Sequence, residues 1–241
     1  MTETAAAQIA ARFPGVLKRM LESGTAQGAN GPVKFVGGST LNNLFILDRL
    51  FDAVAPSATL EVGLACGASA LLFCDKYRRA GQDAHRQHVA LDPFQHELDE
   101  AGMTQLGMEA LDGYVQLVRQ PSLVALPQLL AEGRTFQLIY IDGSHHFEDV
   151  FIDLIYATHL LDEGGVMAFD DSTWPDVAKA LQFLRRNFKG VVEEIDLMEF
   201  RPEDRRTLRA KVAQALGRAQ MTAFRKVGQL PRHWSQTFRD F

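Results

Sequence analysis

Cysteine is scarce: the 241 residues hold two, Cys66 and Cys74. A disulfide framework is thereby excluded, and a reducing compartment, the cytoplasm, is the expected location. No apolar run approaches the ~18 residues that a membrane span needs, so no membrane partner is expected. Basic charge is not in excess either. Lys and Arg number 25 against 30 Asp and Glu, a net charge of −5, and a nucleic-acid partner would want the reverse. The first residues carry Glu3 and an alanine run where a secretory signal has a basic start and an apolar core, so no such signal is expected. Repeats and low-complexity tracts are also lacking.

What is present suits one sizeable α/β core: 46% of the residues are hydrophobic. Short apolar runs alternate with helical periodicity, the pattern of a parallel sheet. Strands are expected at 59–62, 88–91, 115–118, 136–141 and 165–169, then at 191–195 and 221–227. Helices are clearest over 147–161 and 174–187, with a charged one over 202–216. Residues 4–23 read as an amphipathic helix broken or started near Pro14. Residues 24–38, with five glycines and Pro32, read as a loop, a possible lid that is more simply read as mobile. Ser39 or Thr40 then caps a helix that Pro56 ends. The expected organisation is an N-terminal segment over 1–38, a main domain over 39–229, and a tail over 230–241 whose Trp234, Phe238 and Phe241 pack on a partner or on the domain itself.

The stretch Thr59-Leu-Glu-Val-Gly-Leu-Ala-Cys-Gly-Ala-Ser69 organises the chain. A strand turns on Gly63 and Gly67 into a helix, which is how open α/β sheets offer backbone N–H groups to a ligand. A dinucleotide fingerprint would read G-x-G-x-x-G; here the third glycine is missing, and Glu61 stands at the strand end. A carboxylate there suits a cationic ligand better than a pyrophosphate. The run resembles the first motif of class I S-adenosylmethionine-dependent methyltransferases, nearest to the E-x-G-x-x-x-G-x-S pattern of the catechol and caffeoyl-CoA O-methyltransferases. The resemblance implies a Rossmann-like three-layer fold with a seven-stranded, mostly parallel sheet whose last strand is antiparallel. It also implies that Glu61, Gly63, Ala65, Gly67 and Ser69 hold S-adenosylmethionine.

Ligands of open α/β sheets bind beyond the carboxyl ends of the strands. Asp92 ends the second strand, where an acid accepts hydrogen bonds from ribose hydroxyls; a plain Asp-Pro turn is the alternative. Ser122 follows the third strand where the family contacts adenine, and an N-cap role is equally open. Strands four and five end in Ile139-Tyr-Ile-Asp-Gly-Ser-His-His146 and Gly164-Gly-Val-Met-Ala-Phe-Asp-Asp-Ser-Thr-Trp174. Adjacent, they bring Asp142, Asp170 and Asp171 to one sheet edge. Clustered carboxylates repel unless a cation neutralises them, and oxygen ligands favour Mg²⁺, Ca²⁺ or Mn²⁺; a solvated acidic rim is the alternative.

This pair of segments resembles the divalent-metal O-methyltransferases. It departs from the catechol type at Asp171, an Asn there, and so looks more like the macrolide-sugar and aminocoumarin enzymes. By that resemblance Asp142 also touches the cofactor, Mg²⁺ or Mn²⁺ is the metal, His145 is the general base with His146 as fallback, and Trp174 walls the acceptor pocket. A histidine suits proton transfer near neutral pH, although both could merely open the next helix. The implied activity is O-methylation of a small-molecule hydroxyl by a homodimer. The alternatives are metal-independent transfer, an NAD(P)-dependent oxidoreductase, and a non-catalytic S-adenosylmethionine binder.

Overall fold

The structure, a computed structural model, describes residues 12–36, 39–85, 87–203, 206–216, 219–229, 235 and 237–241. Helix α1 (Gly15–Ser23) begins behind Pro14, so the break falls at the proline; residues 4–11 of the expected helix lie outside the described residues. The expected loop holds an antiparallel hairpin, β1 (Thr25–Gln27) and β2 (Pro32–Lys34). Its tip is tied from outside. Asn30 donates to both carboxylate oxygens of Asp99, from its backbone N–H at 2.8 Å and its side chain at 2.5 Å. Ala29 N–H donates to the Asp99 carbonyl at 2.7 Å. The two bonds from Asn30 hold the Asp99 carboxyl below the usual carboxylate range.

Helix α2 (Leu41–Val54) is capped by Thr40, whose hydroxyl accepts from Asn43 N–H at 3.3 Å. There follow β3 (Thr59–Val62), α3 (Ala68–Arg79), β4 (His88–Leu91), α4 (Ala101–Met108), β5 (Val115–Val118) and α5 (Ser122–Ala131). Next come β6 (Phe136–Ile141), α6 (Phe147–Leu160), β7 (Leu161–Phe169), α7 (Pro175–Asn187), β8 (Val192–Glu194), α8 (Leu208–Ala215) and β9 (Thr222–Lys226).

The seven-stranded sheet has the order β5-β4-β3-β6-β7-β9-β8, and β9 runs antiparallel to both neighbours. This is the Rossmann-like α/β fold expected from the sequence. Two elements differ in extent. Strand β7 starts at Leu161 rather than 165, directly out of α6, with a register shift against β6 between Phe136 and Leu138. The late charged helix starts only at Leu208, where the Thr207 hydroxyl accepts from Ala210 N–H.

Side chains alternate across the strands, so the sheet feeds two cores. Leu138 and Tyr140 of β6 join α1, α2 and α3 on one face. Ile139 and Ile141 join α5, α6 and α7 on the other. Trp234 lies outside the described residues, but the end of the tail packs on its own domain. Asn187 and Arg239 exchange two hydrogen bonds, and Phe241 meets Phe183 edge-on at 5.0 Å. No helix among the described residues is long and apolar enough to cross a membrane. The chain runs outward from β3 to β5 and then returns to place β6 on the other side of β3. That reversal opens a crevice above the ends of β3 and β6.

Candidate active site

The crevice begins at the glycine turn. At Gly63 φ is +93°, and a Cβ there would lie 2.3 Å from the carbonyl oxygen of Asp142. Strands β3 and β6 therefore end too close together for any other residue. Ala65 also adopts positive φ, a conformation L residues rarely take, and something must hold it. Asp92 does so. Its Oδ2 accepts from Leu64 N–H (3.2 Å), Ala65 N–H (2.9 Å) and Gln95 Nε2 (2.8 Å), while Oδ1 accepts from Phe94 N–H at 2.8 Å. Among the described residues Oδ1 accepts only that one hydrogen bond, so its second lone pair is left for a ligand. Glu61 is fully buried beneath the turn, where it accepts from the Ser69 hydroxyl at 2.6 Å and faces His88 Nε2 at 3.2 Å.

The acidic end is built by the same alternation. Tyr140 near the end of β6 and Asp142 just beyond it lie two apart and share a face, the one that α2 covers. The Tyr140 hydroxyl donates to Asp170 Oδ2 at 2.5 Å and lies 3.1 Å from Asp142 Oδ2. One phenolic proton cannot serve both acids. The Ser39 hydroxyl, 2.5 Å from the phenol and 3.4 Å from Asp142 Oδ2, supplies the second. Asp170 Oδ1 accepts from Asn43 Nδ2 at 2.7 Å and from Asp171 N–H at 2.8 Å. Burial and the neighbouring Asp170 push the Asp142 carboxyl well above its ordinary value. Burial raises Asp170 too, against the hydrogen bonds from Tyr140, Asp171 and Asn43. Burial and the two acids push the Tyr140 phenol up as well.

Ligating atoms of Asp142, His145 and Asp171 all come within 4.8 Å of one another. Asp171 achieves this at φ +47°. The group that converges thus contains His145 in place of Asp170, whose oxygens are turned to Asn43 and Tyr140. The His145 ring stacks on Trp174 with centroids 4.6 Å apart and planes 27° apart.

A cleft of about 680 Å³ joins the two ends. Of the residues singled out from sequence, Gly63, Ala65, Asp92, Ser122, Asp142, His145, His146, Asp170 and Asp171 line it. Glu61, Gly67 and Ser69 do not; they support the turn from below. Trp174, 52% exposed, backs His145 without lining the cleft. Sequence reasoning passed over Ser39, Asn43 and Tyr140. For Tyr140 a signal existed: a phenol in the apolar second half of its strand, in phase with Asp142.

This fold and cleft define an open α/β domain with a glycine-turn cleft that is acidic at one end, and comparison with known proteins narrows the class. Residues 60–172 match the family model described as a methyltransferase domain. The O-methyltransferase hkm8 of Aspergillus hancockii is 26% identical over 142 residues, 59% of this chain; the chain spans about half the length of that relative, 52%. Two solved structures share the fold. A Klebsiella pneumoniae protein proposed to be an O-methyltransferase has a TM-score of 0.65 at 18% identity, covering 94% of this chain and 97% of that one. The O-methyltransferase of Bacillus cereus, in complex with S-adenosylhomocysteine, has a TM-score of 0.61 at 18% identity, covering 80% and 89%. Residues 60–172 thus match a methyltransferase domain, and the chain carries the class I S-adenosylmethionine-dependent methyltransferase fold.

Proposed function

We propose that this protein transfers a methyl group from S-adenosylmethionine to a hydroxyl oxygen of a small molecule, assisted by Mg²⁺ or Mn²⁺. The observation that carries the reading is the convergence of Asp142, His145 and Asp171 beside a glycine-turn cleft of cofactor size. The donor set fits a cation. Asp142 and Asp171 offer it carboxylate oxygens, and His145 Nε2, which is shielded and closes no hydrogen bond although Asp171 Oδ2 is 2.9 Å away, stands beside them with a lone pair for the acceptor proton. Burial first, and the neighbouring acids after it, raises Asp142 and Asp170, and a bound cation would favour their charged forms.

Bound S-adenosylmethionine supplies a methyl group whose sulfonium leaving group is already activated. A bound cation lowers the pKa of an acceptor hydroxyl. The chain's own part is to bind, orient and deprotonate. Backbone groups at Gly63 and Ala65 and the spare Oδ1 lone pair of Asp92 hold the nucleoside, and Ser122 meets the base. Asp142 and Asp171 hold the cation, while His145 Nε2 takes the acceptor proton, with His146 as the second candidate. Nε2 cannot ligate a cation and accept a proton at once. Stacking on Trp174 fixes the ring plane. A homodimer in the reducing cytoplasm completes the proposal, in keeping with two free, buried cysteines.

Metal-independent transfer is the second reading, favoured by the diversion of Asp170 to Asn43 and Tyr140. The test is S-adenosylhomocysteine formation against a panel of phenolic and sugar hydroxyls, before and after chelation. Turnover that stops with EDTA and returns with Mn²⁺ supports the first reading. Full turnover in the chelated protein supports the second. No product from any hydroxyl acceptor overturns O-methylation.

A further inference from the structure

Two adjacent non-glycine residues, Asp99 and Glu100, hold left-handed backbone, with φ of +52° and +57°. L residues rarely take that conformation, and it persists only where the surroundings impose it. Here both residues are gripped. Asn30 and Ala29, at the tip of the β1–β2 hairpin, bond the carboxylate and the carbonyl of Asp99. The hairpin lies flush on that side chain: a Cβ at Gly28 would be 2.5 Å from Asp99 Oδ2. Glu100 accepts both guanidinium nitrogens of Arg119, at 2.9 and 2.6 Å. The turn they form ends the short 3₁₀ helix Gln95–Leu98, and Phe94 and Leu98 at the two ends of that helix line the cleft.

The Glu100 N–H donates to the Gln95 carbonyl at 2.8 Å. Gln95 is fully buried, and its side-chain amide is engaged at the glycine turn. Its Nε2 donates to the Ala65 carbonyl and to Asp92 Oδ2, both at 2.8 Å, and its Oε1 accepts from Gly102 N–H at 3.1 Å. A second tie runs from Gln105 Nε2 on α4 to the Gln27 carbonyl of the hairpin at 2.7 Å. Residues 25–34 do not line the cleft. A continuous chain of hydrogen bonds nevertheless joins Asn30 to the two groups, Ala65 and Asp92, that shape its nucleoside end.

We propose that the β1–β2 hairpin is a positioning element of the cofactor site, with Asn30 as its contact residue. Asn30 holds the Asp99-Glu100 turn in its left-handed form, the turn seats Gln95, and Gln95 sets Ala65 and the Asp92 carboxylate to receive the nucleoside. The inference rests on the reading that S-adenosylmethionine occupies this cleft. Released from Asn30, the turn relaxes toward negative φ, the Gln95 carbonyl loses its donor, and Ala65 loses a partner that steadies its own positive φ. Such coupling is reciprocal: a hairpin that raises cofactor affinity is itself stabilised by bound cofactor, by the same factor.

The test pairs calorimetric affinity for S-adenosylhomocysteine with amide hydrogen exchange on the whole chain. Asn30→Ala should weaken binding about 5-fold or more. In an Asp99→Gly background, where glycine takes the positive φ unaided, adding Asn30→Ala should change affinity by less than about 2-fold. In wild-type protein, saturating S-adenosylhomocysteine should slow exchange of the Ala29 and Asn30 amides about 5-fold or more. The Arg239 amide, bonded to Asn187 in the tail, should keep its rate. Unchanged affinity in Asn30→Ala overturns the proposal, and so does an equal loss in the Asp99→Gly background, since the effect then bypasses the turn. Slowing at Arg239 as large as that at Asn30 also overturns it, being stabilisation of the fold as a whole. If Asn30→Ala does not fold, the exchange rates decide. Wild-type protein that binds S-adenosylhomocysteine with no slowing at Ala29 and Asn30 ends this inference alone; wild-type protein that binds none ends the cofactor reading with it.

Discussion

His145 Nε2 stands 2.9 Å from Asp171 Oδ2, yet this shielded nitrogen closes no hydrogen bond. Asp170, one residue earlier, has both oxygens engaged by Asn43, Tyr140 and a backbone N–H. The two adjacent acids therefore differ in kind. Asp171→Asn should weaken Mn²⁺ binding by about 10-fold or more, since it removes a ligating charge. Asp170→Asn should weaken it less, because the amide oxygen can still accept from Asn43 and Asp171 while its NH₂ donates to the phenol. Calorimetric titration with MnCl₂ distinguishes them. A larger loss in Asp170→Asn would restore Asp170 to the ligand set.

His145→Ala should lower turnover about 10²–10⁴-fold, the usual contribution of a general base, with little change in S-adenosylhomocysteine affinity. Saturating metal at each pH keeps metal release from imitating loss of the base. An active His145→Ala beside an inactive His146→Ala would exchange the two roles. Activity in both variants would leave activation of the acceptor to the metal alone.

Much of this arrangement was legible in the residues. Apolar runs marked the strands, and Gly63, Asp92, Asp142 and Asp170 each followed one of them. What was not legible depended on partners far along the chain. The hairpin at residues 25–34 is held by Asp99, 69 residues beyond Asn30. Asp170 is turned from the cleft partly by Asn43, 127 residues before it. Glu61 reads as a ligand residue from its motif, but a strand buried on both faces carries it beneath the turn. Asp153 could have been noticed as an acid in phase with Val150, Leu154 and Ala157 on an apolar helix face. Only the fold shows that this face is buried.

Stability should depend on pH through Asp153. Burial raises its folded pKa to about 7 against an ordinary 3.8. Between those values the folded chain binds one proton more than the unfolded chain, so stability falls as pH rises, by at most about 1.4 kcal/mol per unit. The cost is absent below about pH 4 and complete above about pH 7. Asp153→Asn removes the ionisation, so its Tm relative to wild type should climb from pH 5 to pH 8. A difference that stays constant across that range would show that Asp153 titrates normally.

Occupation of the β3–β6 cleft by S-adenosylmethionine is the claim on which the others depend. Calorimetric titration of S-adenosylhomocysteine into wild-type protein, with NADH titrated in parallel, tests it most directly. The account predicts saturable one-to-one binding with a Kd below about 100 μM and no heat from NADH. Saturable NADH binding with none for S-adenosylhomocysteine would contradict it.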